Sequence, residues 1–174
     1  MEIKAMMTIV YVSNAGHTEQ YAEMLSRKTR LKSLNINDAV KILPKGSSIL
    51  LMGWVMGDGI QGYKKLCKLF NIKGICAVGM SKYSSKPESL RKTNSLPDDM
   101  PLFVLPAGID VNKLHGFYKL IIKMMQKSIS KKNGEETISA EEKELHDILL
   151  NGRDSVSDEH LDDVEKWLSQ YDFS

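Results

Sequence analysis

Cysteine is scarce in this chain. Cys67 and Cys76 are the only two in 174 residues, with no C-x-x-C spacing and no cluster of metal-ligating side chains around either. Both read as structural thiols, no metal site is expected, and a reduced, cytoplasmic setting is expected. Long apolar runs are missing too. No segment approaches the roughly 18 apolar residues that a bilayer-spanning helix needs. The start, Met1 to Met7, has neither the apolar run nor the small-residue cleavage site of a secretory signal, which again points to the cytoplasm. Internal repeats and low-complexity stretches are absent. So are the Gly-Lys-Ser/Thr of a Walker loop and the Gly-x-Gly-x-x-Gly of a dinucleotide fold. The lysine clusters lack interleaved aromatics, so nucleic acid is not an expected partner. His115 and His146 have no partnered nucleophile or ligand cluster and read as surface residues.

What remains is an ordinary globular composition, 42% hydrophobic and 26% charged. Its charge is unevenly spread. Residues 134–174 hold thirteen acidic groups against Lys143, Arg153 and Lys166, a net −10, so the overall +2 leaves +12 on residues 1–133. A basic body, 1–133, is followed by an acidic extension, 134–174.

The body alternates strands and helices. Thr8-Ile9-Val10-Tyr11-Val12 reads as a buried strand, and Thr18 to Thr29 as an amphipathic helix with Thr18 its N-cap. Leu34–Asn37 is a weak second strand, and Asp38 to Lys45 a short connection ended by Pro44 and Gly46. Ile49–Gly53 is a third strand, apolar throughout. Residues 54–62 form a glycine-rich loop, and Tyr63 to Phe70 a helix. Ile75–Met80 is the fourth strand, followed by a loop to Pro87 and a short helix from Glu88 to Thr93. Leu102–Leu105 is the fifth strand, with a long helix from Val111 to Lys132 after it. Five strands alternating with helices predict a parallel sheet in an α/β three-layer sandwich. The extension reads as two more helices, Ala140–Leu150 and Asp158–Tyr171, the second capped by Ser157 or Asp158.

In such a sheet, ligands sit beyond the carboxyl ends of the strands. Three loops leave those ends. The turn Ser13-Asn14-Ala15-Gly16-His17-Thr18 would aim backbone N–H groups and a helix N-terminus at one point, a place for a phosphate. The second loop offers Trp54 and Met56 among glycines, and the third offers Tyr83. Aromatic and thioether groups beside an anion cradle suit a flat, apolar ring with a phosphate tail.

These residues resemble the flavodoxin-like FMN-binding family. Ser13-Asn14-Ala15-Gly16-His17-Thr18 is similar to its Thr/Ser-x-Thr-Gly-x-Thr phosphate loop, and Met56-Gly57-Asp58 resembles the Met-Gly-Asp of short-chain flavodoxins. The resemblance implies a five-stranded parallel sheet of flavodoxin type that binds FMN. Ser13, Asn14, Ala15, Gly16, His17 and Thr18 would surround the phosphate. Trp54, Val55, Met56, Gly57, Asp58, Ser81 and Tyr83 would surround the ring, with Met56 or Trp54 on one face and Tyr83 on the other. The Gly57–Asp58 peptide would meet the reactive N5 edge and turn over on reduction, a job that favours glycine. The implied partner is a redox protein or a small organic acceptor. From Pro106 through Asp110 to the helix Lys113–Lys132, the chain also resembles the menaquinone-dependent protoporphyrinogen IX dehydrogenase family. That would make it an FMN-dependent oxidoreductase. Lys82, Lys86, Arg91 and Lys92 could steer an anionic substrate. A rival reading is a flavodoxin-fold interaction or regulatory module that binds no flavin. It rests on Ala15 in place of a hydroxyl residue and on the basic body.

Two expectations concern the C-terminal third. Lys119, Lys123, Lys127 and Lys131 recur every four residues opposite an apolar side. Such a helix either touches an anionic membrane surface or packs on the sheet. Leu161, Val164, Trp167 and Leu168 give the last helix a stripe to bury, so the acidic extension is expected to fold back on its own body.

Overall fold

A computed structural model describes residues 6–79, 86–109, 123, 147 and 153–171. Its centre is a parallel sheet built from β1 (Thr8–Val12), β2 (Ser33–Asn35), β3 (Ser48–Met56), β5 (Asn71–Gly79) and β6 (Leu102–Pro106), in the order β2-β1-β3-β5-β6. A short strand, β4 (Gly59–Ile60), folds back antiparallel on the end of β3. Counting only the parallel strands, the order is 2-1-3-4-5, that of a flavodoxin-type doubly wound sheet. β1 and β3 pair in register from Thr8 with Ile49 to Val12 with Gly53.

The central strands are apolar on both sides because both are covered. On one side lie Ile9, Leu50, Met52, Cys76 and Val78 with Tyr21, Ala22 and Leu25 of α1 (His17–Thr29). On the other, Val10, Ile49, Leu51, Ile75 and Ala77 meet Ala39 of α2 (Ile36–Ile42), Leu66 of α3 (Tyr63–Leu66) and Leu90 of α4 (Pro87–Asn94). Burial alone pushes the Cys76 thiol well above its usual pKa, which makes it an inert core group. Cys67 is exposed.

After β6 the chain makes β7 (Gly108–Ile109), which pairs antiparallel with β8 (Arg153–Asp154). A 3-10 turn (Asp158–Leu161) then leads into α5 (Asp162–Leu168) on the α1 side. Leu161, Val164 and Leu168 are buried in the core that α1 covers. Trp167 lies against Phe103, at 5.7 Å between ring centroids, and over the backbone of Gly74. Lys28 of α1 reaches Asp158 at 2.8 Å and Glu165 at 2.6 Å. Those hydrogen bonds, Asp158 first, hold its ammonium pKa up. Pairs this open to solvent align the helix more than they stabilise it.

Several elements differ from the sequence reading. Residues 38–45 are not a plain connection, because α2 occupies most of them. Asn35 is its N-cap and accepts the Asp38 N–H at 3.0 Å, while Asp38 Oδ2 accepts from the Asn35 amide at 2.6 Å. The helix after Gly62 stops at Leu66, and residues 67–70 form turns. The last helix begins as a 3-10 turn, and Ser157 makes no side-chain cap bond. Met80, the helix Val111–Lys132 and the helix Ala140–Leu150 lie outside the described residues, apart from Lys123, which is helical and exposed, and Asp147. Among the described residues no helix is long and apolar enough to cross a membrane.

Candidate functional site

The strand order reverses between β1 and β3, so the crevice of this sheet opens where those strands end. Val12 and Gly53 stand opposite each other there, with Trp54 opposite Val78 of the next strand. The turn after Val12 and the distal half of β3 therefore leave the sheet side by side.

The first wall is the turn into α1. Gly16, not Thr18, is the N-cap of the helix. Its φ of 97° is a left-handed conformation that an L side chain rarely adopts. Thr18 is instead buried in the first helical turn. Gly16 N–H donates to Ser13 Oγ at 3.1 Å, and the Gly16 carbonyl accepts from Gln20 N–H at 3.0 Å. No side chain caps the helix. The first turn thus presents N–H groups without intrahelical partners to the crevice, at the positive end of the helix dipole. Asn14 adds a second signal. Its Nδ2 is buried and, among the described residues, has no hydrogen-bond partner. A buried donor left unpaired costs about 1–3 kcal/mol, so it marks a place for an acceptor. One group opposes an anion here. The Glu19 carboxylate also stands in the first turn, where it accepts a 2.7 Å hydrogen bond from Tyr11. Burial first, then Glu19, pushes the Tyr11 phenol up to about 12.

The second wall corrects the sequence reading. Residues 54–62 are not a glycine-rich loop. Trp54, Val55 and Met56 continue β3, and the chain returns in a tight hairpin with Val55 opposite Ile60 and Met56 opposite Gly59. Gly57 (φ 54°) and Asp58 (φ 61°) are both left-handed, as a two-residue type I′ turn requires. Leu50 and Met52 face the α1 side, while Val55 joins the opposite cluster. The two-residue period of a strand then puts Trp54 and Met56 on the α1 side, with the Ser13–Thr18 turn. A Cβ on Gly57 would meet nothing within 4 Å, so the hairpin tip is open.

The third wall is not in view, because Ser81 and Tyr83 lie outside the described residues. Of the thirteen residues read from sequence, the structure places eleven at one edge, six in the turn and the start of α1 and five on the hairpin, with Thr18 buried and Val55 on the opposite side of the sheet. It also adds one the sequence reading missed. Asn94, the last residue of α4, is 6% exposed and bonds across to the hairpin. Its Oδ1 accepts the Ile60 N–H at 2.9 Å, and its Nδ2 donates to the Asp58 carbonyl at 2.8 Å and to the Leu90 carbonyl at 2.8 Å. Nothing in the sequence pattern links residue 94 to residues 58 and 60.

The arrangement sets a donor-rich turn beside an aromatic residue, a thioether and an exposed peptide. Among the described residues no group of three His, Cys, Asp or Glu side chains could hold a metal ion. No protein-family model matches the chain, and no curated protein matches it.

Proposed function

We propose that this chain is an FMN-binding protein of flavodoxin type that works in electron transfer or flavin-dependent oxidoreduction. The observation that carries the reading is the buried Asn14 amide nitrogen, without a hydrogen-bond partner among the described residues, in the turn at the switch point of the sheet. The residues present fit the cofactor. The Ser13 hydroxyl, the Asn14 amide and the first-turn N–H groups of α1 would hold its phosphate, with Ala15, Gly16, His17 and Thr18 shaping the turn. Trp54 and Met56 would flank the ring, and the Gly57–Asp58 tip would approach its polar edge. Bound FMN supplies one- and two-electron chemistry, and the protein positions it and keeps water from one side. Lys86, Arg91 and Lys92, on α4 and at its start, favour an acidic redox partner or an anionic organic acceptor. A cytoplasmic setting accords with two cysteines that form no disulfide.

The test is direct. Purified protein is expected to be yellow and to release FMN, not FAD, on denaturation, or to quench the fluorescence of added FMN. A colourless protein that refuses added FMN overturns the reading in favour of a flavin-free interaction module.

A further inference from the structure

We propose that Asn94 is a positioning residue for the hairpin tip, and that it sets how the Gly57–Asp58 peptide presents itself to the flavin. The inference rests on the FMN reading above and names a residue that reading does not need.

The geometry is specific. An Asn side chain has two donor protons and one acceptor oxygen. Here both donors and the acceptor are engaged, and two of the three bonds cross from α4 to the hairpin. A helix-capping role does not account for this, because the C-cap of α4 is the left-handed Ser95, which closes the helix through its own N–H. The bonds also sort the hairpin into two halves. Asp58 carbonyl and Ile60 N–H, on the return side, are clamped, the first bond half-buried and the second buried. On the outgoing side, Gly57 has open space around it. With the return side fixed, a change of backbone state is confined to the single peptide between Gly57 and Asp58. Without the clamp, the whole tip would share the motion. Asn94 thereby also ties α4 to the hairpin at the end of β3.

Two variants separate this role from simple stability. Asn94→Leu is close in size and removes all three bonds. Asn94→Asp keeps the acceptor for Ile60 N–H but loses both donations and sets a carboxylate oxygen against the Asp58 and Leu90 carbonyls. In cofactor-free protein, amide hydrogen exchange at Ile60 is expected to rise at least tenfold in Asn94→Leu and to rise less in Asn94→Asp, which keeps the acceptor for that N–H. Amides of the central strands, such as Leu51 and Ile75, should hold their protection in both. In FMN-loaded protein, both variants are expected to change the ratio of affinities for oxidised and reduced FMN about tenfold. That is about 30 mV in the two-electron potential, a quantity that loss of global stability alone leaves unmoved. Wild-type protein that takes up no FMN overturns the functional reading and this inference together. Wild-type protein that binds FMN, beside variants with its potential and its affinity, overturns this inference alone. If Asn94→Leu does not fold, the potential of Asn94→Asp decides.

Discussion

Replacing Gly74 with alanine tests how closely the C-terminal helix is seated on the sheet. A Cβ at Gly74 would lie 2.7 Å from Trp167 Cη2 and 3.1 Å from Cζ2 and Cζ3. Carbon atoms pack best at about 3.5–4.0 Å, so the indole has to move by roughly 1 Å. It is not free to do so at no cost, because Phe103 and Tyr171 stand against it at centroid distances of 5.7 and 5.2 Å. Overpacking of this kind costs about 1–3 kcal/mol. The lost chain entropy of the unfolded state returns about 0.4–1 kcal/mol. Gly74→Ala should therefore destabilise the protein by about 1–2 kcal/mol. Trp167→Leu removes the obstacle while keeping an apolar group. In that background the alanine should cost little, which appears as a coupling of about 1–2 kcal/mol in a double-mutant cycle. Urea unfolding reads this as a shift in midpoint at constant m-value. If Gly74→Ala is as stable as wild type, or if its cost is unchanged beside Trp167→Leu, the packing of α5 over β5 described above is wrong.

Two further outcomes follow from the site and the core. Asn14→Ala should weaken FMN binding about 10–100-fold, the worth of one hydrogen bond to a charged group. Because the amide nitrogen has no partner to lose among the described residues, thermal melting of the cofactor-free protein should stay level or rise, and a parallel loss of stability would refute the orphan-donor argument. Tyr21→Phe addresses alkaline pH. Burial pushes the Tyr21 phenol up to about 12 from 10.0, so its contribution to stability is complete below pH 10 and is lost as pH rises towards 12. The variant should flatten part of that decline in urea midpoints, leaving a residual slope from Tyr11, Tyr63 and the Cys76 thiol, whose pKa values burial also raises. It should cost about 1–2 kcal/mol at neutral pH, because the hydroxyl bonds the Pro106 carbonyl and His160 Nδ1.

How far the chain could be read depended on how local each signal was. β1 and α1 are bounded by a run of β-branched residues and an apolar stripe, and the sequence locates both to within a residue. α2 escaped because only Ala39 is buried and Val40 and Ile42 face solvent, which leaves no helical period to see. Its one legible mark was Asn35 three residues before Asp38. The hairpin was misread because Gly57, Gly59 and Gly62 look like a flexible loop, whereas they punctuate a strand that Trp54-Val55-Met56 prolongs. Asn94 was out of reach altogether, since its meaning lies in partners more than thirty residues earlier. Strand and turn chemistry is written nearby in sequence, and a buried polar clamp is not.

The small pairing of β7 with β8 has a consequence in polymer terms. Ile109 stands opposite Arg153, so the pairing closes a circuit of chain across positions 110–152 beside the end of β6. The entropic cost of closing such a loop grows only with the logarithm of its length, roughly 0.6 kcal/mol per doubling. A circuit of that length costs little more to close than one of half its size, and the clasp returns the chain beside β6, from where Asp158–Leu161 leads into α5 on the α1 side.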